Sequence, residues 1–148
     1  MHTENAITIA SPLARVFAVA AAVEGWPRFL PHYRWVRVLA GDGFERLVEM
    51  AAHRDGIPVR WTARQRLDPV RHRIFFTHVR GPSRGMEVCW FLEAQGAAVQ
   101  VRIVHDLTLA WPLVGPWVAK YVIGAFFVSN IATKTLRGLK AYLEQLAP

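Results

Sequence analysis

Residues 57–109 read IPVRWTARQRLDPVRHRIFFTHVRGPSRGMEVCWFLEAQGAAVQVRIVHDLTL, and this stretch decides the fold. Its period is two. From Ile57 to Leu67, the residues Val59, Trp61, Ala63, Gln65 and Leu67 alternate with Arg60, Thr62, Arg64 and Arg66. From Arg73 to Arg80, Ile74, Phe76 and His78 share one phase. Met86 to Glu93 sets Met86, Val88, Trp90 and Leu92 against Glu87, Cys89, Phe91 and Glu93. Beyond Val99 the face is Val99, Val101, Ile103, His105, Leu107 and Leu109, with Gln100, Arg102 and Asp106 turned away. Successive side chains on a strand point to opposite faces, so each segment is a strand with one apolar face. Asp68-Pro69, Gly81-Pro82-Ser83 and Gln95-Gly96 are turn chemistry, which joins the strands as antiparallel hairpins.

Working outward, Asp55-Gly56 and Gly41-Asp42-Gly43 add two more hairpin turns, with strands at Phe44 to Arg54 and around Val36 and Val38. At the start, Ala6 to Ala10 reads as a short strand. Ser11-Pro12 then reads as an N-cap followed by Pro at the first helical position. Leu13, Val16, Phe17 and Ala20 form a helical stripe to about Val23, broken by Gly25-Trp26-Pro27, and a short helix or turn follows over Arg28 to Pro31. After Pro112 and Pro116 a helix of roughly thirty residues, about 45 Å long, runs to about Leu146. Its inner face by the 3.6 period is Val118, Tyr121, Val122, Ala125, Val128, Ser129, Ala132, Leu136, Leu139 and Leu143. Lys120, Asn130, Lys134, Arg137 and Glu144 lie opposite, and Ile123 with Phe127 forms an apolar pair on that polar face.

The expected fold is α+β. A curved antiparallel sheet of about seven strands wraps around a long C-terminal helix, with one or two short helices after the first strand. Twisted sheets of long strands coil, and only the last helix is long enough to cover the concave side. Such an arrangement leaves a gap between sheet and helix in which a small molecule fits. No linker or repeat divides residues 1–148, so one domain is expected.

Composition narrows the function classes. With 53% hydrophobic and 20% charged residues the chain is not disordered. Its single cysteine excludes an internal disulfide and a cysteine zinc cluster. The N-terminus lacks the basic and apolar regions of a signal peptide, and a soluble, cytoplasmic protein is expected. Trp111 to Ile131 is apolar, but Pro112, Pro116 and Lys120 interrupt it and Ser129-Asn130 closes it, which fits a loop entering a helix better than a membrane span. The net charge of +7 permits attraction to nucleic acid, anionic lipid or an acidic protein. Arg60, Arg64, Arg66, Arg71, Arg73, Arg80 and Arg84 form a run with only Asp68 inside it. Nucleic-acid binding would need aromatics exposed among them. By alternation those aromatics are expected to face the other way, so no nucleic acid is expected. The run reads as a solvated convex face, or as a site for an acidic carrier protein or an anionic membrane surface.

Inside, His78 and His105 share the concave face, where a histidine acts as a general acid or base or hydrogen-bonds a ligand. A shared metal is not expected, because one strand separates them and no third ligand of suitable type is apparent. Trp61, Phe76, Trp90 and Tyr33 are either stacking walls for a planar ligand or plain core. Cys89 is expected outward and without a catalytic partner. No phosphate loop, dinucleotide fingerprint or nucleophile elbow occurs, and no cofactor is expected.

The chain also resembles a known family, from Asn5 to Leu143. The stretches are Ile9-Ala10-Ser11-Pro12 with Val16-Phe17, Glu24-Gly25-Trp26-Pro27, His32-Tyr33, Gly81-Pro82, Met86-Glu87-Val88 with Trp90, His105-Asp106-Leu107 and Asn130-Ile131-Ala132. They resemble the START-like helix-grip superfamily, and within it the polyketide cyclase/dehydrase group that includes bacterial aromatase/cyclases. The resemblance implies a hydrophobic ligand, with Tyr33 and Trp90 at positions the family uses. It also implies a pocket arginine on the third long strand, where this chain has Gln65. Glutamine orients a carbonyl but supplies no permanent cation.

Together these observations point to binding of a hydrophobic, aromatic or polyketide-like molecule between sheet and helix. The expected lining is Trp61, Gln65, Phe76, Val88, Trp90, Ile103, Tyr121, Val122 and Ser129. Two alternatives stay open. One is a polyketide cyclase or dehydrase in which His105, His78 or Tyr33 transfers a proton. The other is a lipid or quinone carrier resembling the coenzyme Q-binding relatives of this fold. A homodimer or a membrane contact through Ile123 and Phe127 is a further expectation.

Overall fold

The computed structural model describes residues 2–54, 56–106 and 116–146, with side chains described for all of these except 54 and 116–127. The strands are β1 (His2–Ile9), β2 (Tyr33–Gly41), β3 (Glu45–Arg54), β4 (Ile57–Asp68), β5 (Arg73–Arg80), β6 (Glu87–Gln95) and β7 (Ala98–Asp106). The helices are α1 (Leu13–Ala21) and α2 (Pro116–Gln145), and a 3₁₀ turn spans Val23–Arg28. The seven strands form one antiparallel sheet in the order β1-β7-β6-β5-β4-β3-β2. Neighbours from β2 to β7 are consecutive hairpins, as the turn residues dictate. The remaining contact is non-local: β1 lies beside β7, pairing Ile9 with Val99, Asn5 with Ile103 and Thr3 with His105.

The alternation predicted for the middle of the sheet holds except at Thr62, which was expected outward but is buried where the β4–β5 pairing has an irregularity. Trp61, Ala63 and Gln65, then Ile74, Phe76 and His78, then Val88, Trp90 and Leu92, then Val99, Val101, Ile103 and His105 are all buried on the concave side. Helix α2 packs on that side with Ala132, Leu136, Leu139 and Leu143 inward, and Ile131 and Thr135 are buried beside them. Each leucine buried in this way contributes about 1.5–3 kcal/mol, which is what docks the helix. Gly138 lets α2 come close to the chain before β2. A Cβ at that position would stand 2.4 Å from Leu30 Cδ2. One turn on, Tyr142 stacks on Phe29 with ring centroids 4.1 Å apart. At the C-terminal end Glu144 accepts the Ala10 N–H (2.8 Å) and Lys140 donates to the Thr8 carbonyl (2.7 Å), tying α2 to β1.

Four local expectations are corrected. Strand β1 begins at His2, because pairing with β7 extends it beyond its apolar part. Ser11 does not cap α1. The N–H groups of Arg15 and Val16 bond to the Pro12 carbonyl, so Pro12 holds the cap position with extended backbone and the Ser11 hydroxyl is buried without a partner. Gly25-Trp26-Pro27 does not break the chain before a later helix but lies inside the 3₁₀ turn. Pro27 has no N–H to offer, and the turn closes instead through the Trp26 carbonyl, which accepts from Phe29 and Leu30. Asn130, placed on the polar face of α2, is half-buried with its Oδ1 shielded and unpartnered.

Candidate functional site

The concave face has an aromatic side and a polar side. The aromatic side starts at Trp90 on β6. Trp26 of the 3₁₀ turn lies 5.5 Å from Trp90 between ring centroids, and Tyr33 packs edge-on to Trp26 at 5.2 Å. Tyr33 in turn meets Trp61 edge-on at 6.2 Å, and Trp61 lies parallel to the His78 ring at 5.7 Å. Five rings from five separate elements thus form one continuous chain. Trp26, read from the sequence as part of a helix break and of a stretch resembling the family, links Trp90 to Tyr33 in this chain. Its indole N–H is buried and unpartnered. Its apolar flanks, Val23 and Leu30, are the signal that could have placed it inside.

Both expected histidines are buried on this face. The His78 Nδ1 lies 2.6 Å from the Ser83 hydroxyl of the β5–β6 loop. Burial, with a smaller push from the nearby His105, lowers the His78 pKa to about 3. Burial likewise lowers His105 to about 4, against a weak opposing pull from Asp106. Both rings are therefore neutral at pH 7. The His105 Nδ1 has no hydrogen-bond partner. Tyr33 is fully enclosed, and burial pushes its phenol well above the usual range, with the Thr135 hydroxyl working against that. It stays protonated and serves as a donor. Beside it, His32 is held at 2.9 Å from Thr135 Oγ1, which itself donates to the Ile131 carbonyl at 2.8 Å.

Gln65 is engaged internally. Its Nε2 donates to the Ala21 carbonyl at 2.9 Å, while its Oε1 accepts from Arg46 Nε (3.0 Å) and Nη2 (2.8 Å). Arg46 also pairs with Glu24 and reaches the Ala21 carbonyl. An arginine is therefore present on this face after all, one strand over from Gln65 and directly across from it in register. Sequence reasoning missed it. The turn that pairs Arg54 with Ile57 fixes the register of the whole hairpin, and counting back from it brings Arg46 opposite Gln65. The Arg46 guanidinium, Glu24 and the Gln65 amide together close the C-terminus of α1, where helix carbonyls lack partners.

Of the other expected lining residues, Phe76, Val88 and Ile103 are buried on the same face. Ser129 of α2 accepts a hydrogen bond from Asn5 Nδ2 at 3.3 Å. The side chains of Tyr121, Val122, Lys120, Ile123 and Phe127 lie outside the described residues, so the expectations that rest on them have no structural account. Among the described residues no group of three or more His, Cys, Asp or Glu side chains is arranged to hold a metal.

The convex face corrects one expectation. Aromatics do occur among its arginines. The Arg66 guanidinium lies over Phe75 (4.3 Å), and Arg73 and Arg102 both lie over Phe91 (5.0 and 4.4 Å). Phe75 shares the phase of Arg73, not of Phe76, so it points outward. Cys89 sits half-buried among these residues, and burial pushes its thiol pKa up, away from thiolate character.

The family described as polyketide cyclase / dehydrase and lipid transport matches residues 9–124. The chain belongs to this family. Within it, the chain is 31% identical over 112 residues to the granaticin polyketide synthase bifunctional cyclase/dehydratase of Streptomyces violaceoruber, covering 74% of this chain and 35% of that protein. It therefore spans about a third of the length of that relative. It is 30% identical to a putative polyketide cyclase of Streptomyces halstedii, over 68% of this chain and 95% of that one. Among solved structures, the Zhui aromatase/cyclase from Streptomyces sp. R1128 superposes with a TM-score of 0.85 at 25% identity, covering 98% of this chain and 94% of that chain. A START superfamily protein from Mycobacterium smegmatis shares the fold with a TM-score of 0.76 at 15% identity, over 99% of each chain. The helix-grip architecture read from the sequence is thus the architecture of this cyclase/dehydrase family. Among the described residues no helix is long and apolar enough to cross a membrane.

Proposed function

We propose that this protein binds a planar, polyketide-like molecule between the concave sheet face and α2, and acts on it as a cyclase or dehydrase. The observation that carries this reading is the chain of five rings ending at His78, with the neutral, unpartnered His105 beside it. Flat apolar walls favour a flat ligand and hold a flexible chain folded for ring closure. Ring closure of a poly-β-keto chain needs a proton removed from a carbon between two carbonyls, attack of that carbon on a further carbonyl, and a proton delivered to the resulting alkoxide. Dehydration then needs a second α proton removed while the hydroxyl is protonated and leaves as water. A neutral imidazole both accepts and returns a proton, and His105 Nδ1 is the free position for it. Tyr33, held protonated, is a donor and not a base.

In this proposal Trp61, Phe76, Val88, Trp90, Ile103 and Ser129 line the ligand, Tyr121 and Val122 extend the lining along α2, and Gln65 supports the wall through Arg46. The protein acts in the cytoplasm without a cofactor. An acidic carrier protein presenting the substrate would meet the convex face, where Arg66 and Arg73 have no carboxylate partner among the described residues. Self-association through Ile123 and Phe127 is a separate part of the proposal. A lipid or quinone carrier would use the same face without turnover.

The deciding experiment is turnover of a poly-β-keto thioester, followed by mass spectrometry, in wild type and His105→Gln. The variant should lose about 10²- to 10⁴-fold in rate while ligand affinity stays within about tenfold. Full activity in the variant removes His105 from the chemistry. Binding without any turnover in the wild type leaves the carrier reading.

A further inference from the structure

The β1–β7 ladder carries a feature that the aromatic chain does not explain. Thr3 and His105 are direct cross-strand partners, so their side chains share one face. Thr3 Oγ1 and His105 Nδ1 are both buried, yet they bond neither to each other nor to any other described group. Two residues along β1 on the same face, Asn5 Nδ2 donates to Ser129 Oγ (3.3 Å) and Thr133 Oγ1 (3.2 Å) of α2, while its Oδ1 is buried and unpartnered. Native interiors leave few buried polar atoms unsatisfied. Three along one ladder, beside the apolar Val101 and Ile103, call for a partner of matching chemistry.

We propose that Thr3, Asn5 and His105 form a polar seam that receives the oxygen-bearing edge of a planar ligand, and that Thr3 and Asn5 determine specificity for phenolic or enolic hydroxyls. This rests on the ligand-binding reading above. The chemistry of the donors fixes the class. Asn5 Oδ1 only accepts, so it needs a hydroxyl that donates. Thr3 Oγ1 both donates and accepts, and a neutral His105 Nδ1 does one or the other according to tautomer. A ligand edge carrying hydroxyls, or a hydroxyl and a carbonyl, satisfies all three. Thr3 and Asn5 are about 7 Å apart along the strand, within the width of a two- or three-ring system.

The seam carries no charge of its own. Glu4 and Arg102, which pair at 2.8 Å, and His2 with Asp106 occupy the opposite phase or the exposed edge. Arg46, a cation on the concave face, lies at the other side of the sheet and is held by Glu24. With no cation beside the seam among the described residues, a carboxylate on the ligand edge would be desolvated without a partner there, and neutral oxygens are preferred.

The test is calorimetric titration with two probes of the same skeleton, naphthalene and 1,3-dihydroxynaphthalene. Wild type should bind the diol at least about tenfold more tightly than the hydrocarbon. Thr3→Val, nearly isosteric, should weaken the diol by about five- to twentyfold and leave naphthalene within about twofold. Thr3→Ser, which keeps the hydroxyl, should retain the preference. In wild type the ¹⁵N resonance of His105 Nδ1 should move on adding the diol and not on adding naphthalene, a readout that needs no variant to fold. If wild type binds both probes equally, if Thr3→Val weakens both alike, or if the His105 resonance does not respond to bound diol, the seam is structural and the proposal is overturned while ligand binding stands. If wild type binds neither probe, the ligand-binding reading fails, and the seam proposal fails with it.

Discussion

Three histidines make the fold sensitive to mild acid. His32, His78 and His105 are buried, and their pKa values fall from 6.5 to about 4, about 3 and about 4 respectively, mainly because burial disfavours the charged ring. His32 is pushed further by Lys134 and His53. A folded pKa below the unfolded one means that the unfolded chain binds more protons between the two values. The stability these neutral histidines represent is therefore complete above about pH 6.5 and is lost as pH falls toward their folded pKa values. At pH 5 each unfolded histidine is protonated and each folded one is not, so each removes about 2 kcal/mol, at 1.36 kcal/mol per pH unit over about 1.5 units. The three together remove about 4–6 kcal/mol, a large share of the 5–15 kcal/mol typical of a domain. His2 has the opposite sign. Its pKa is raised, chiefly by hydrogen bonds to Asp106 and Glu4, but it is exposed and its pull is screened. Urea unfolding followed by tryptophan fluorescence at pH 7, 6 and 5 checks this. The expected slope approaches three protons, about 4 kcal/mol per pH unit, between pH 5 and 6, and His105→Gln should lower it by one proton. Stability that is flat from pH 7 to pH 5 would refute the reasoning, because it would mean that these rings protonate within the fold.

Trp90→Ala should weaken an apolar fluorescent probe by about 1–3 kcal/mol if the ring chain is the ligand wall. A folded variant with unchanged probe affinity makes Trp90 plain core. Gln65→Arg alone should destabilise the protein by about 2–4 kcal/mol, because it sets a second guanidinium directly across from Arg46 and removes the amide that accepts from it. The double variant Arg46→Gln with Gln65→Arg should recover much of that loss in thermal unfolding. Equal destabilisation in single and double variants would show that the two residues are not coupled.

The alternation of residues 57–106 determined the sheet, its hairpin order and which side chains face inward. It did so because a one-residue slip would turn every apolar side chain of a strand into water. The helical stripe determined α2 for the same kind of reason, since Ala132, Leu136, Leu139 and Leu143 share one face at a period of 3.6. Proximity across the fold was not legible in that way. Nothing local says that β1 adds to β7, and without that pairing Thr3 and Asn5 have no relation to His105. Trp26 looked like punctuation, because glycine and proline flank it. Only the packing of the 3₁₀ turn onto β6 shows it as the link between Trp90 and Tyr33 in the ring chain. The glutamine at position 65 looked like the loss of a cation. The tertiary structure shows the cation on the neighbouring strand, turned toward Glu24 and the end of α1. Periodicity is a property of neighbours along the chain, and burial enforces it at every residue. A site is a property of side chains brought together from distant elements, and here hairpin register, the closing strand and the helix contact decided it.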